Sequence, residues 1–180
     1  MKTPWMAAVI LASAALTGCA GMSTAPAKAK PRALLATALL EPTKGNQANG
    51  SARFIEEGDD VLVQVAVHNL PPNSVHGFHL HEKGDCSSGD GMSAGGHFNP
   101  DAAPHGAPSA PHHAGDMPAL KADANGIAQT SFVLHGLTVS AGAHSVVGKG
   151  LIVHKDPDDY TTQPTGNSGA RIACGVVMLR

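Results

Sequence analysis

Apolar and polar residues alternate along most of the chain from residue 33 onward. The clearest case is VLVQVAVHN (61–69), in which valines at every second position predict a buried face while Gln64 and His68 lie on the other. SARFIEE (51–57) precedes it, and the Gly58-Asp59 pair between them is typical of a hairpin. Because no helical period longer than two turns is found, the pattern predicts a chain of strands.

Six further segments have the pattern of strands. They are ALLATALL (33–40), SVHGFHLH (74–81), MPALKAD (117–123), GIAQTSFVLHG (126–136), GLIVH (150–154) and RIACGVVML (171–179). ADANG (122–126) is a second hairpin signal. Eight short strands with turns between them predict an all-β fold, an antiparallel sandwich or barrel.

Two long segments interrupt the strands, residues 82–116 and 155–170. Both are rich in Gly and Pro and too long for simple turns, and long ordered loops are usually functional. They also carry most of the residues that could bind a metal: His97, His105, His112, His113 and Asp116 in the first, and Asp156, Asp158 and Asp159 in the second. Without strands, such loops need a metal ion, a disulfide or both to hold them.

The first 32 residues have a different composition. A basic start, an apolar run and small residues before Cys19 predict an export signal that is too short to span a membrane. LTGC (16–19) resembles the lipobox of bacterial lipoproteins, which predicts a signal peptide at 1–18 and a lipid on Cys19; an ordinary signal peptide with a stray cysteine is the alternative. Residues 20–32 read as a tether, and residues 33–180 as one domain.

Net charge limits the classes of binding partner, and the cysteine count limits the possible disulfides. A net charge of -2 without a basic stripe excludes a nucleic-acid partner, whereas 11 histidines favour metal or proton chemistry. With Cys19 lipidated, Cys86 and Cys174 are the one possible intramolecular disulfide, which an exported compartment permits. Two free thiols are the alternative.

GFHLHEKGDC (77–86) places two histidines, His79 and His81, two residues apart. On a strand both side chains share one face, about 6 to 7 Å apart at Cα, so both rings can reach one metal ion. A half-polar surface strand has the same spacing, so two histidines alone do not decide between the two.

Five motifs in order carry a family resemblance. They are GFHLHEKGDC (77–86), SAGGHFNP (93–100), HHAGDMP (112–118), GLIVH (150–154) and NSGARIACGVV (167–177). Together they resemble copper/zinc superoxide dismutase, specifically its bacterial exported branch, from about residue 33 to the C-terminus. The resemblance implies an eight-stranded Greek-key sandwich or flattened barrel with two functional loops, one copper and one zinc ion per subunit, and superoxide as substrate.

The resemblance also implies a ligand set. The copper ligands would be His79, His81, His97 and His154, and the zinc ligands would be His97, His105, His113 and Asp116. His97 would bridge the two ions and supply a proton during turnover. A zinc site with four protein ligands is closed and structural, whereas an open redox copper is catalytic.

Other residues are placed by the same resemblance. Asp158 would link His79 to His105 outside the ligand shell, and Arg171 would attract the anion beside the copper channel. At the HH pair, the spacing to Asp116 favours His113 over His112, which is expected to be a solvated loop residue. Four more histidines are expected not to be ligands, the last two lying near strand ends without partners: His68, His76, His135 and His144.

The sequence therefore predicts a dismutase of the cell envelope that protects against extracytoplasmic superoxide. It would lie in the periplasm, anchored through Cys19; because Ala20 is not the aspartate associated with inner-membrane retention, the outer membrane is favoured. The sequence does not decide whether the protein is a monomer or a homodimer. It also does not decide whether Lys83 helps to steer the substrate. The competing hypotheses are a metal-buffering lipoprotein of the same fold, which would have lost a ligand or the channel arginine, and a lipoprotein sandwich with incidental histidines.

Overall fold

The structure is a computed structural model that describes residues 33–180. The predicted signal peptide, lipidated Cys19 and tether lie outside the described residues, so the predicted domain boundaries stay predictions. Within residues 33–180, no helix is long and apolar enough to cross a membrane.

The described residues form ten strands and one short 3-10 helix. The strands are β1 (Leu35–Pro42), β2 (Asn49–Glu57), β3 (Asp60–His68), β4 (Val75–His76), β5 (Phe78–His81), β6 (Leu120–Lys121), β7 (Ala128–His135), β8 (Gly150–His154), β9 (Arg171–Val176) and β10 (Met178–Leu179), and the helix is Met92–Ala94. Eight strands form one antiparallel sheet in the order β5-β8-β9-β1-β2-β3-β7, with β10 also on β1, while β4 and β6 pair separately. The predicted all-β fold class is confirmed.

Strand β1 joins the two halves of this curled sheet. It pairs with β2 along residues 35–40 and with β9 at Glu41 and Pro42. Buried and more exposed residues alternate along β3 as predicted: the valines at 61, 63, 65 and 67 are at most 3% exposed. Phe54 and Phe78 are fully buried and belong to the same apolar cluster. Burial of this apolar face holds the halves together and leaves the long loops outside.

The predicted strand 74–81 is broken at Gly77. Its first half, β4, pairs with β6, whereas its second half, β5, pairs with β8. A Cβ at Gly77 would meet the Ser168 side chain at 2.6 Å, so only glycine fits this close approach. The ADANG segment is a turn, but not a hairpin between paired strands, because β6 pairs with β4 and not with β7.

The disulfide prediction is confirmed. Cys86 in the first long loop bonds Cys174 in β9, with the two Cα atoms 5.9 Å apart. The bond fastens the first long loop to the sheet close to Arg171, which begins β9.

Candidate metal centre

Two neighbouring strands supply three histidines to one face. His79 and His81 lie on β5, and His79 is directly opposite Ile152 of β8. His154 lies two residues beyond Ile152, so its side chain points to the same face. Loops cover this face, and both histidines of β5 are fully buried.

The first long loop, 82–116, adds to the edge of β5 and brings the next ligand candidates. Phe98 N–H donates to Leu80 O at 2.8 Å, and Leu80 N–H donates to Gly115 O at 2.9 Å. Isolated bridges pair His81 with His97 and His79 with Asp116. Backbone pairing thus places residues 97 and 116 beside the histidines of β5.

Four imidazoles form the first cluster, with one nitrogen of each within 4.8 Å of the others: His79, His81, His97 and His154. The opposite nitrogen of three rings is already used. His79 Nε2 donates to Asp158 at 2.6 Å, His81 Nδ1 to Gly95 O at 2.9 Å, and His154 Nδ1 to Gly169 O at 3.3 Å. The remaining nitrogens therefore present lone pairs to a common centre.

Within residues 33–180, three buried candidate ligand nitrogens make no hydrogen bond of acceptable geometry, although one of them, His105 Nδ1, lies close to the Asp116 carboxylate. They are His79 Nδ1, His97 Nε2 and His105 Nδ1. Leaving a buried polar atom unpaired costs roughly 1 to 3 kcal/mol, and a metal ion would satisfy each of these lone pairs. The donor set therefore fits metal ions.

The second cluster has three imidazoles and one carboxylate: His97, His105, His113 and Asp116. Asp116 Oδ1 lies 2.7 Å from His97 Nδ1, and Oδ2 lies 3.0 Å from His105 Nδ1. His113 Nδ1 is 3.4 Å from Asp116 Oδ1. Three nitrogens and one oxygen are a usual set for a closed zinc site. His97 belongs to both clusters through its two nitrogens.

Asp158 joins the clusters from outside. Its Oδ2 accepts from His79 Nε2 at 2.6 Å, and its Oδ1 accepts from His105 Nε2 at 3.0 Å. Tyr160 N–H also donates to Oδ1, at 2.7 Å. Asp159, by contrast, is exposed and accepts from Thr161 and Thr162 of its own loop. The structure thus gives Asp158 the linking geometry that the resemblance implied.

Burial favours the neutral form of four of the clustered histidines. It lowers the pKa of His79 and of His81 well below 6.5, that of His154 to about 4, and that of His113. The charge of Arg171 further lowers the pKa of His81. Neutral imidazoles offer lone pairs, so the site is prepared for cations.

Burial and hydrogen bonding shift the pKa of the Asp116 carboxyl in opposite directions. Burial acts to raise its pKa, but hydrogen bonds from His97 and from the Gly106 N–H outweigh burial and hold the pKa below its usual value. Asp116 is therefore an anion at neutral pH, as a zinc ligand must be.

Arg171 lies at the start of β9 and is half-buried. Its two terminal nitrogens donate to Gly91 O and Gly95 O, both at 2.6 Å. The Gly95 carbonyl also accepts from His81 Nδ1. Arg171 and the copper-ligand candidate His81 thus share one carbonyl acceptor, which fixes a permanent positive charge close to the first cluster.

The other histidines lie outside both clusters. His68 is exposed, as expected for a non-ligand. His112 is half-buried rather than fully solvated, and it belongs to neither cluster. His76 is buried, and its Nδ1 donates to His154 O at 2.8 Å. The expectation that His135 and His144 lack partners is wrong: they lie 3.1 Å from Asp60 and 3.0 Å from Asp101. Both partners are distant in sequence and are brought close by strand pairing and loop packing. Local sequence patterns therefore could not predict these contacts.

Residues 48–177 match the family model described as Copper/zinc superoxide dismutase (SODC). The chain belongs to the copper/zinc superoxide dismutase family. It is therefore a superoxide dismutase, with copper and zinc as cofactors and superoxide as substrate.

Relatives of this dismutase cover most of its length. It is 42% identical over 134 residues to superoxide dismutase [Cu-Zn] 1 of Aquifex aeolicus (strain VF5), covering 71% of this chain and 79% of that protein. It is 39% identical over 150 residues to superoxide dismutase [Cu-Zn] of Paramecium bursaria Chlorella virus 1, covering 79% of this chain and 76% of that protein. The crystal structure of the clock protein EA4 superposes with a TM-score of 0.74 at 34% identity, covering 86% of this chain and 99% of that one.

Proposed function

We propose that the first cluster holds copper, that the second holds zinc, and that His97 bridges the two ions. The observation that carries this proposal is the sharing of His97: its Nδ1 faces Asp116, while its buried Nε2 lies among the other three copper-ligand candidates. Bound copper would supply the one-electron chemistry by which two superoxide ions and two protons become oxygen and hydrogen peroxide.

His97 has the geometry to move a proton without leaving its place. The zinc cluster holds Nδ1, so the ring stays fixed while Nε2 takes up a proton and later gives it to the reduced product. Arg171 attracts and orients the anion, since its guanidinium is held by two carbonyls and stays charged at every workable pH. These two residues are the proposed catalytic residues.

We further propose that the enzyme works in the cell envelope, protecting against extracytoplasmic superoxide. The pattern of residues 1–19 supports export and a lipid on Cys19, which would anchor the chain to a membrane facing the periplasm, the outer membrane being favoured. The disulfide supports an oxidising compartment. Exposed apolar side chains on β1 and β10, Leu39, Met178 and Leu179, support a homodimer, which light scattering tests.

One pair of variants separates the two ion sites. His154 belongs only to the copper cluster and Asp116 only to the zinc cluster. His154→Ala should lose copper and nearly all turnover while keeping zinc. Asp116→Ala should lose zinc and thermal stability while copper-loaded protein keeps most of its activity near neutral pH.

The experiment measures copper, zinc and superoxide turnover on the same samples of the full chain and both variants. Copper loss from Asp116→Ala equal to that from His154→Ala would contradict the separate assignments. A parent chain that binds both metals without turning over superoxide would instead be the metal-buffering lipoprotein.

A further inference from the structure

The backbone of His105 is held by a single side chain. Its N–H donates to Gln163 Oε1 at 2.9 Å, and its carbonyl accepts from Gln163 Nε2 at 2.8 Å. No hydrogen bond between His105 and another backbone group occurs within residues 33–180. One amide therefore satisfies both backbone polar groups of a buried residue, across a sequence separation of 58.

The same loop also holds the ring of His105. Asp158, five positions before Gln163, accepts from His105 Nε2 at 3.0 Å. The ring's other nitrogen, Nδ1, then faces Asp116 Oδ2. Because His105 lies in a loop without strands, its backbone position and its ring orientation both depend on residues 155–170.

We infer that Gln163 is a positioning residue for the zinc site, acting through His105 to retain the ion. This inference rests on the proposed assignment of His105 as a zinc ligand. Gln163 belongs to neither ligand cluster, and its side chain lies at the surface. It fixes where the His105 Cα lies, and Asp158 then fixes which way the ring points.

The chemistry of the amide is specific to this task. A donor and an acceptor must stand side by side to pair with the N–H and C=O of one residue, and glutamine has both. Methionine has a similar length but no donor. Glutamate keeps the acceptor but sets a carboxylate oxygen against the His105 carbonyl. Either substitution should loosen His105 without removing a ligand.

Zinc release from the full chain tests this role. Outer-shell partners typically change metal affinity by about ten- to a hundredfold, so Gln163→Met and Gln163→Glu should transfer zinc to a chromogenic chelator faster by that factor. The absorption spectrum of cobalt placed in the zinc site should also change. Asn167→Gly is the matched control: the Asn167 side chain donates to Asp159 and Thr162 of its own loop, and glycine tolerates its positive φ of 52°.

The role is supported if both Gln163 variants release zinc faster than Asn167→Gly does, with the melting temperature of the metal-free chain equal in all three. It is overturned if zinc release and the cobalt spectrum match those of Asn167→Gly. It is also overturned if the metal-free chains of the Gln163 variants melt lower by the same amount as the zinc-loaded ones, which indicates general stability. A parent chain that binds no zinc would overturn the ligand assignment as well.

Discussion

At the scale of single residues, hydrogen bonds decide which nitrogen of each histidine can bind a metal. His79 uses Nε2 on Asp158 and so presents Nδ1, whereas His81 uses Nδ1 on Gly95 and presents Nε2. The sequence supplies two equivalent histidines two positions apart. Their partners give them opposite nitrogens, and the two rings converge on one point because of this difference.

The prediction for a single residue concerns Arg171 and the steering of the substrate anion. Arg171→Ala should slow turnover by about tenfold or more and weaken its dependence on salt, because steering by a fixed charge raises association rates by roughly ten- to a thousandfold and is screened by ions. Copper must be quantified, since Gly95 O serves both Arg171 and His81.

Arg53→Ala is the control for this charge. Arg53 lies on β2, outside both metal clusters, and its removal changes the net charge by the same amount. Stopped-flow decay of superoxide at several ionic strengths gives rate and salt slope together. Equal rates and slopes for the two variants, at equal copper content, would assign Arg171 no part in substrate guidance.

At the scale of elements, short strands are extended by loops that have no regular structure of their own. The loop around residue 98 adds to the edge of β5, and a disulfide fastens its first part to β9. A second anchor holds another irregular segment: Glu56 of β2 accepts from the N–H groups of Val139 and Ser140, in the connection between β7 and β8. Such anchors make irregular segments stable.

The disulfide should stabilise the fold substantially. Closing a loop with a sequence separation of 88 corresponds to about 4 to 5 kcal/mol in the chain-entropy estimate. The double variant Cys86→Ala/Cys174→Ala should therefore unfold at lower denaturant concentration at equal metal content, and Cys19→Ser should not. Free alkylation of both thiols in protein isolated without a reductant would contradict the bond.

Glu56 should give stability a dependence on pH. The Ser140 N–H lowers its pKa from 4.5 despite some opposing burial, and the Val139 N–H lowers it further. Because the folded pKa is below the unfolded one, its contribution is complete above about pH 4.5 and is lost as the pH falls through the folded pKa.

Glu56→Ala should therefore cost about 1 kcal/mol of unfolding free energy near pH 7 and less at low pH. Glu57→Ala, which changes a neighbouring exposed carboxylate, serves as the control. Denaturant unfolding at a series of pH values measures both. A loss from Glu56→Ala that is constant with pH would show that the carboxylate hydrogen bonds are not its source.

At the scale of the whole molecule, the sheet closes enough to bring the loops 82–116 and 155–170 to one centre. The first loop supplies all four residues of the second cluster, His97, His105, His113 and Asp116, but only His97 of the first cluster. The second loop supplies Asp158, which links the two clusters. Strands β5 and β8 supply the remaining ligands. The metal centre therefore depends on the folded domain as a unit.

Attachment to the membrane is predicted to depend on one residue outside this domain. Cys19→Ser should leave turnover and metal content unchanged but move the protein from the membrane fraction to the soluble one, because acyl chains would be its anchor. Fractionation with a high-salt wash measures this. A variant that stays with the membranes would refute the lipid assignment.

The sequence by itself predicted the all-β fold and the order of the motifs, and its family resemblance supplied the seven ligand candidates. Alternating valines predicted β3 because period-two burial is a local property of an extended chain. Short motifs with fixed spacing, such as the two histidines of β5, likewise carry their identity in neighbouring residues. The paired Cys86 and Cys174 followed from counting the thiols that remained.

Only the tertiary structure decided the contacts between distant residues. The break at Gly77, the support of His154 by His76, the partners of His135 and His144, and the pairing of Gln163 with His105 all join segments far apart in sequence. Periodicity states which face a side chain occupies but not what covers that face. Those partners are set by how the sheet curls and where the loops pack, which no local pattern contains.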